Sequence, residues 1–218
     1  MEMFPHFQQE REDMVRWQIE ERGLHNQRLL EALRKLPRHL FVQPGDEIYA
    51  YYDEPIPIGF HQTISQPYIT ALMTSLAALE GKETVLEVGT GSGYQAALLG
   101  MLSNRVISME RIPELAERAR KIVDEVGIKN VEIIIGDGTG GYPPEAPYQA
   151  ILVTAAAPSV PQVLLDQLTD GGRLIIPTGT RSLQQLQVWQ RRGSHFDSED
   201  ILPVVFVPLL GQYGWKER

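Results

Sequence analysis

The stretch 84-TVLEVGTGSGYQAALLGMLS-103 decides the fold. It opens with a short apolar run containing β-branched residues, turns at glycines 89, 91 and 93, and continues with apolar residues at helical spacing. Strand, glycine-rich turn and helix together begin a βαβ unit. Downstream the pattern repeats. A second strand is expected over 105-RVISME-110, followed by a helix over 113-PELAERARKIVDEVG-127 that Pro113 starts and Gly127 stops. Further strands are expected at 131-VEIIIGD-137, 148-YQAILVTAA-156 and 173-RLIIPTG-179, with a helix-like 161-PQVLLDQL-168 between the last two. The tail segments 183–192 and 201–211 read as two strands of an antiparallel edge, joined by a turn over 193–200. Upstream, 67-PYITALMTSLAAL-79 and 26-NQRLLEALRKL-36 read as helices, and a surface helix is expected before Gly23. Residues 37–67 are proline-rich without clear period and read as an ordered loop. The fold expected is α/β: a doubly wound, mostly parallel sheet with N-terminal helices and an antiparallel C-terminal edge. Residues 1–66 are expected to form an N-terminal helical and loop region and 67–218 the sheet-bearing domain with its C-terminal strands, packed as one compact unit.

The 218 residues carry 20 Lys and Arg against 28 Asp and Glu, a net charge of -8 that disfavours a phosphate-backbone partner. There is no Cys, so thiolate chemistry and zinc–thiolate sites are excluded. The N-terminus lacks the basic and apolar segments of a signal peptide, and no stretch reaches the roughly 18 apolar residues of a membrane span. A cytoplasmic monomer without nucleic-acid or membrane partners is expected. His6, His25, His39 and His195 have no metal-like spacing, so no metal is expected, and Trp17 and Trp189 read as core.

The glycine loop lets a ligand approach main chain, but Tyr94 stands where a dinucleotide-binding loop wants its last glycine, so a nicotinamide cofactor is disfavoured. Glu110 ends the second strand 21 residues beyond Gly89, where a carboxylate accepts from both hydroxyls of a ribose. In 136-GDG-138, Asp137 is expected to accept from an adenine amine, with Gly138 leaving room for the ring. Thr90, Ser92 and Gly93 in the loop, and Arg111 beside Glu110, complete the expected contacts. Glu87 has two readings, a carboxylate facing a ligand cation or a support beneath the loop. The ligand expected in this adenosine-shaped cleft is S-adenosyl-L-methionine, with S-adenosyl-L-homocysteine as product.

The segments 50-AYYDEPIPIG-59, 62-QTISQP-67, 85-VLEVGTGSGYQAALL-99, 135-IGDGTGGYP-143, 153-VTAAAP-158, 167-QLTDGGRLIIPTG-179 and 205-VFVPLLG-211 resemble the protein-L-isoaspartate O-methyltransferases, within the Rossmann-like methyltransferases. The resemblance covers nearly all of the chain, and QTIS is its most specific part. It implies methylation of the free carboxylate of L-isoaspartyl residues in damaged peptides and proteins. It also implies that Ser65 is the active residue, with Thr63 beside it. His61, Ile58, Gly59 and Leu210 are expected near the acceptor. The chain departs from the family pattern at His61, where a small residue is usual, and at Gln149, where Asp is common. Other readings are a methyltransferase for another acceptor and a non-catalytic binder of altered proteins.

Overall fold

The computed structural model describes residues 6–217. Helix α1 (His6–Asp13) runs into a π-helical stretch, Met14–Glu20. That stretch buries Met14, Val15 and Ile19 but turns Trp17 to solvent, 51% exposed beneath the Arg16 guanidinium. Trp17 is therefore not core, because the apolar residues on either side of it define the opposite face. Helix α2 (Gln27–Lys35) is capped by Asn26, whose side chain accepts from Leu29 N at 3.2 Å, and buries Leu29, Leu30 and Leu33.

The loop expected over 37–67 holds more structure than its composition suggests. Short 3₁₀ turns at Arg38–Phe41 and Glu47–Tyr49 precede a hairpin of β1 (Ile56–Gly59) and β2 (Gln62–Ile64). Next come α3 (Pro67–Leu76), β3 (Thr84–Val88), α4 (Tyr94–Leu102), β4 (Arg105–Glu110), α5 (Pro113–Glu125) and β5 (Val131–Ile135). The chain continues with β6 (Tyr148–Val153), α6 (Gln162–Leu165), β7 (Leu168–Gly179), β8 (Gln184–Arg192) and β9 (His195–Val204). The tail differs in register from expectation: β9 starts at His195, the turn shrinks to Gly193 and its neighbour, and 205–211 leaves the sheet.

The large sheet has the order β5-β4-β3-β6-β7-β8-β9. Its first five strands are parallel, and β8 runs antiparallel to both neighbours. Period-two alternation sorts side chains to two cores: Val85 and Val106 pack with α4, α5 and the N-terminal helices, while Leu86, Val88, Ile107 and Met109 pack with α6. By the same alternation Glu87 and its cross-strand partner Ser108 share the Val85 face. The order reverses at β3, between β4 and β6, which opens a crevice beyond the carboxyl ends of these strands. Pairing of Val88 with both Met109 and Val153 sets Gly89, Glu110 and Thr154 side by side at its floor.

Candidate active site

The loop after β3 needs glycine for geometric reasons. Gly89, Gly91 and Gly93 have φ of 101°, 54° and 88°, which other residues rarely adopt. A Cβ on Gly89 would collide with Thr154 Oγ1, and one on Gly138 would lie 2.8 Å from Met109 Cβ and 2.9 Å from Val88 Cγ1. The loop is fixed from both sides: Gly89 N donates to Met109 O at 2.8 Å, and Thr154 Oγ1 donates to Gly89 O at 2.6 Å. Above it lies a solvent-open cleft of about 900 Å³.

Of the residues expected at the cofactor, Gly89, Thr90, Gly91, Ser92, Glu110, Arg111 and Gly138 line this cleft. Glu110 is 6% exposed and accepts from Gly91 N and Ile112 N, both at 2.9 Å, one amide on each oxygen. A carboxylate has roughly four acceptor positions, so each oxygen keeps one for a ligand hydroxyl. Val88, Met109 and Ile112 give the same wall an apolar surface against which a base can lie. A cradle without side chains, a carboxylate with free lone pairs and an apolar wall together fit an adenosyl group.

Other expected residues sit elsewhere. Gly93 caps α4 and abuts α5; a Cβ there would lie 3.0 Å from Ala119 Cβ, so its role is helix packing. Glu87 is fully buried beneath the loop and does not line the cleft. One of its oxygens accepts from Ser108 Oγ, which is 2.5 Å from Thr90 Oγ1, and the other has no partner among the described residues. Burial pushes its pKa up to about 8, against the Ser108 hydrogen bond. The support reading of Glu87 is the one its position matches. Asp137 also stays outside the cleft lining. Its carboxylate accepts from Thr139 N at 2.9 Å, Thr139 Oγ1 at 2.7 Å and Gln212 N at 2.8 Å, clasping the C-terminal segment to the end of β5. Burial opposes ionisation of Asp137, but these amide and hydroxyl donors hold its pKa below the usual range.

On the acceptor side, Thr63, Ser65 and Leu210 line the cleft, while Ile58, Gly59 and His61 do not. Ile58 is buried in the core under Gly91, its carbonyl held by Arg118 at 2.7 Å. Gly59 ends β1 and His61 lies in the hairpin turn, exposed at φ 57°. Gln66 caps α3 and makes no side-chain cap bond, so Ser65 is not the helix cap and its hydroxyl has no hydrogen-bond partner among the described residues. A second groove, about 1140 Å³, meets the cleft at Thr63, Ser65 and Thr154 and runs between Tyr68 and Ile69 on one side and Leu202 to Val207 on the other. Sequence reading missed Thr154, the residue directly after β6, and the buried cleft residues Tyr94 and Gln95. The strand-end position of Thr154 was the available signal.

Comparison with known proteins adds an independent line. The sequence profile of the family described as protein-L-isoaspartate(D-aspartate) O-methyltransferase matches residues 9–214. A relative described as a protein-L-isoaspartate O-methyltransferase in Methanoculleus marisnigri is 53% identical over 207 residues, 95% of this chain and 94% of the relative. One in Syntrophus aciditrophicus is 51% identical and covers 98% of this chain and 100% of the relative. A solved protein-L-isoaspartate O-methyltransferase superposes with a TM-score of 0.84 at 29% identity, over 94% of this chain and 67% of that one. A Plasmodium falciparum structure assigned to the same family, in complex with S-adenosyl-L-homocysteine, gives 0.78 at 24% identity over 92% of this chain and 98% of that one, a likeness of fold. With a glycine cradle and strand-end carboxylate built for an adenosyl ligand and a profile match over almost its whole length, this chain belongs to the protein-L-isoaspartate O-methyltransferase family.

Proposed function

We infer that this chain methylates the free carboxylate of L-isoaspartyl residues in damaged peptides and proteins, with Ser65 positioning the acceptor. S-adenosyl-L-methionine, when bound, supplies an electrophilic methyl group on a sulfonium. The observation that carries the reading is the junction at Ser65, where a second groove opens onto the cofactor cleft beside an unpartnered hydroxyl. Gly89, Gly91 and Gly138 admit the adenosyl group against main chain, and Glu110 orients its ribose. The Ser65 hydroxyl donates to one acceptor oxygen and so fixes the line along which the other approaches the methyl carbon. Opposite charges merge in this step, so cofactor and acceptor that fill the cleft and displace its water lower the barrier by replacing solvation with fixed dipoles.

No general base is required. A carboxylate with pKa near 4 is already ionised at neutral pH. The charged residues that line the cleft are Glu110 and Arg111. Among the described residues no helix is long and apolar enough to cross a membrane. Action as a cytoplasmic monomer on repairable proteins is part of the proposal. The test is transfer of tritiated methyl from S-adenosyl-L-methionine to matched peptides carrying isoaspartyl or aspartyl at one site. Labelling of the isoaspartyl peptide alone is expected; equal labelling of both, or of neither, would overturn the assignment.

A further inference from the structure

Arg38 is the largest fully buried side chain in the described structure, and its charge has no counter-ion there. Its Nε donates to Ala50 O and its Nη2 to Ser65 O, both at 2.7 Å, while Nη1 has no partner. The guanidinium lies 5.0 Å from the ring centre of Tyr94, which lines the cleft and whose hydroxyl is likewise buried without a partner. Asp53 lies near enough to influence Arg38, yet its carboxylate is bound to Arg22 at 2.7 Å, Tyr68 N at 2.9 Å and Gln66 Nε2 at 3.2 Å. Burial lowers the Arg38 pKa only to about 10, so the group stays cationic at neutral pH. An unpaired buried cation costs stability, which calls for an anion that the folded chain does not itself provide.

We propose that Arg38 is a positioning residue for the acceptor: it clamps the Ser65 carbonyl from below, and its uncompensated charge favours a carboxylate over a neutral group at Ser65. This rests on the acceptor reading of Ser65 given above. The residue does not touch substrate. It acts through the Ser65 segment and through a field that low surrounding polarity leaves poorly screened. The same field would also favour the carboxylate of the cofactor's amino-acid end, so the test separates the two anions.

Binding of an isoaspartyl peptide is compared with binding of the same peptide bearing a carboxamide in place of that carboxylate. The wild type is expected to prefer the carboxylate by about tenfold, as for a charge pair of this kind. In Arg38→Met the preference falls to about twofold or less while the Kd for S-adenosyl-L-methionine stays within about twofold. Tm falls in Arg38→Met, because the Ala50 and Ser65 carbonyls lose their donors, although removal of an unpaired charge offsets part of that cost. An unchanged preference, a wild-type preference near unity, or a parallel loss of cofactor affinity would each overturn the proposal. Should Arg38→Met not fold, Arg38→Lys decides: retained preference with a reduced kcat supports the assignment, and lost preference overturns it. Wild-type enzyme that fails to methylate the isoaspartyl peptide would instead remove the functional reading on which the proposal stands.

Discussion

The Ser65 hydroxyl faces the meeting point of two cavities and bonds to nothing in the described structure, so removing it disturbs no native hydrogen bond. Ser65→Ala is therefore expected to leave Tm unchanged and cofactor affinity intact, while kcat/KM for an isoaspartyl peptide falls by about 10- to 100-fold, the worth of a hydrogen bond to a charged group. Equal loss of cofactor binding would make Ser65 a structural residue. Glu87 behaves in the opposite way, since it touches no ligand space but its charge state is coupled to folding. Its native pKa of about 8 lies above that of an exposed glutamate, near 4.3, so between these values the folded state binds more protons than the unfolded chain. Stability from this group is present below pH 4.3 or so and is lost as pH rises through about 8. The wild type is expected to lose Tm between pH 5 and 8, and Glu87→Gln, neutral at every pH, to flatten that decline. Parallel pH profiles for the two proteins would mean that Glu87 is ionised in the fold.

Single elements differ in how plainly the sequence declares them. The strand, glycine turn and helix of β3 and α4 are legible because apolar run, positive-φ glycines and helical spacing agree over residues 84–103. The β1–β2 hairpin is hidden because its strands have four and three residues and its turn is Phe60-His61, not the Asn-Gly pair that such turns favour. Both turn residues take left-handed φ, 53° and 57°, which is unfavourable for side-chain-bearing residues. Phe60 is 51% exposed, so its replacement removes little packing. Exchange of this pair for Asn-Gly is expected to stabilise the chain by about 1 kcal/mol after the entropic cost of glycine, raising Tm by roughly 2–4 °C. An unchanged Tm would show that the turn carries no strain. The misplaced start of β9 has a different origin. Its first half, 195-HFDSED-200, is polar because it forms the solvent-facing edge of the sheet, where acidic side chains deter pairing with other chains.

At the level of the whole molecule, the cleft is closed by chain that is distant in sequence from the glycine loop. Residues 207–210 line it, yet they lie beyond the last strand and depend on anchors at the carboxyl ends of other strands. Leu209 N donates to Ala156 O at 2.8 Å, Trp215 Nε1 donates to Ala156 O at 3.1 Å, and Gln212 N donates to Asp137 at 2.8 Å. Nothing in local spacing reveals such a clasp, because the partners of the Asp137–Gln212 bond are 75 positions apart. This is why Asp137 reads from sequence as an adenine contact although its oxygens serve Thr139 and Gln212. The two roles separate cleanly in Asp137→Ala. Loss of the clasp is expected to speed amide hydrogen exchange across 207–216 in the ligand-free protein and, through the loosened wall, to weaken S-adenosyl-L-methionine binding by about tenfold. If Asp137 worked only as a ligand contact, affinity would fall with exchange in the ligand-free protein unchanged. Since the anchoring amides hold Asp137 ionised, its contribution is present above the usual aspartate pKa and is lost as pH falls through the lower native value. Wild-type exchange across 207–216 is therefore expected to quicken in acid toward that of the variant, after correction for the intrinsic pH dependence of exchange, and exchange rates in that segment that stay apart would sink the clasp.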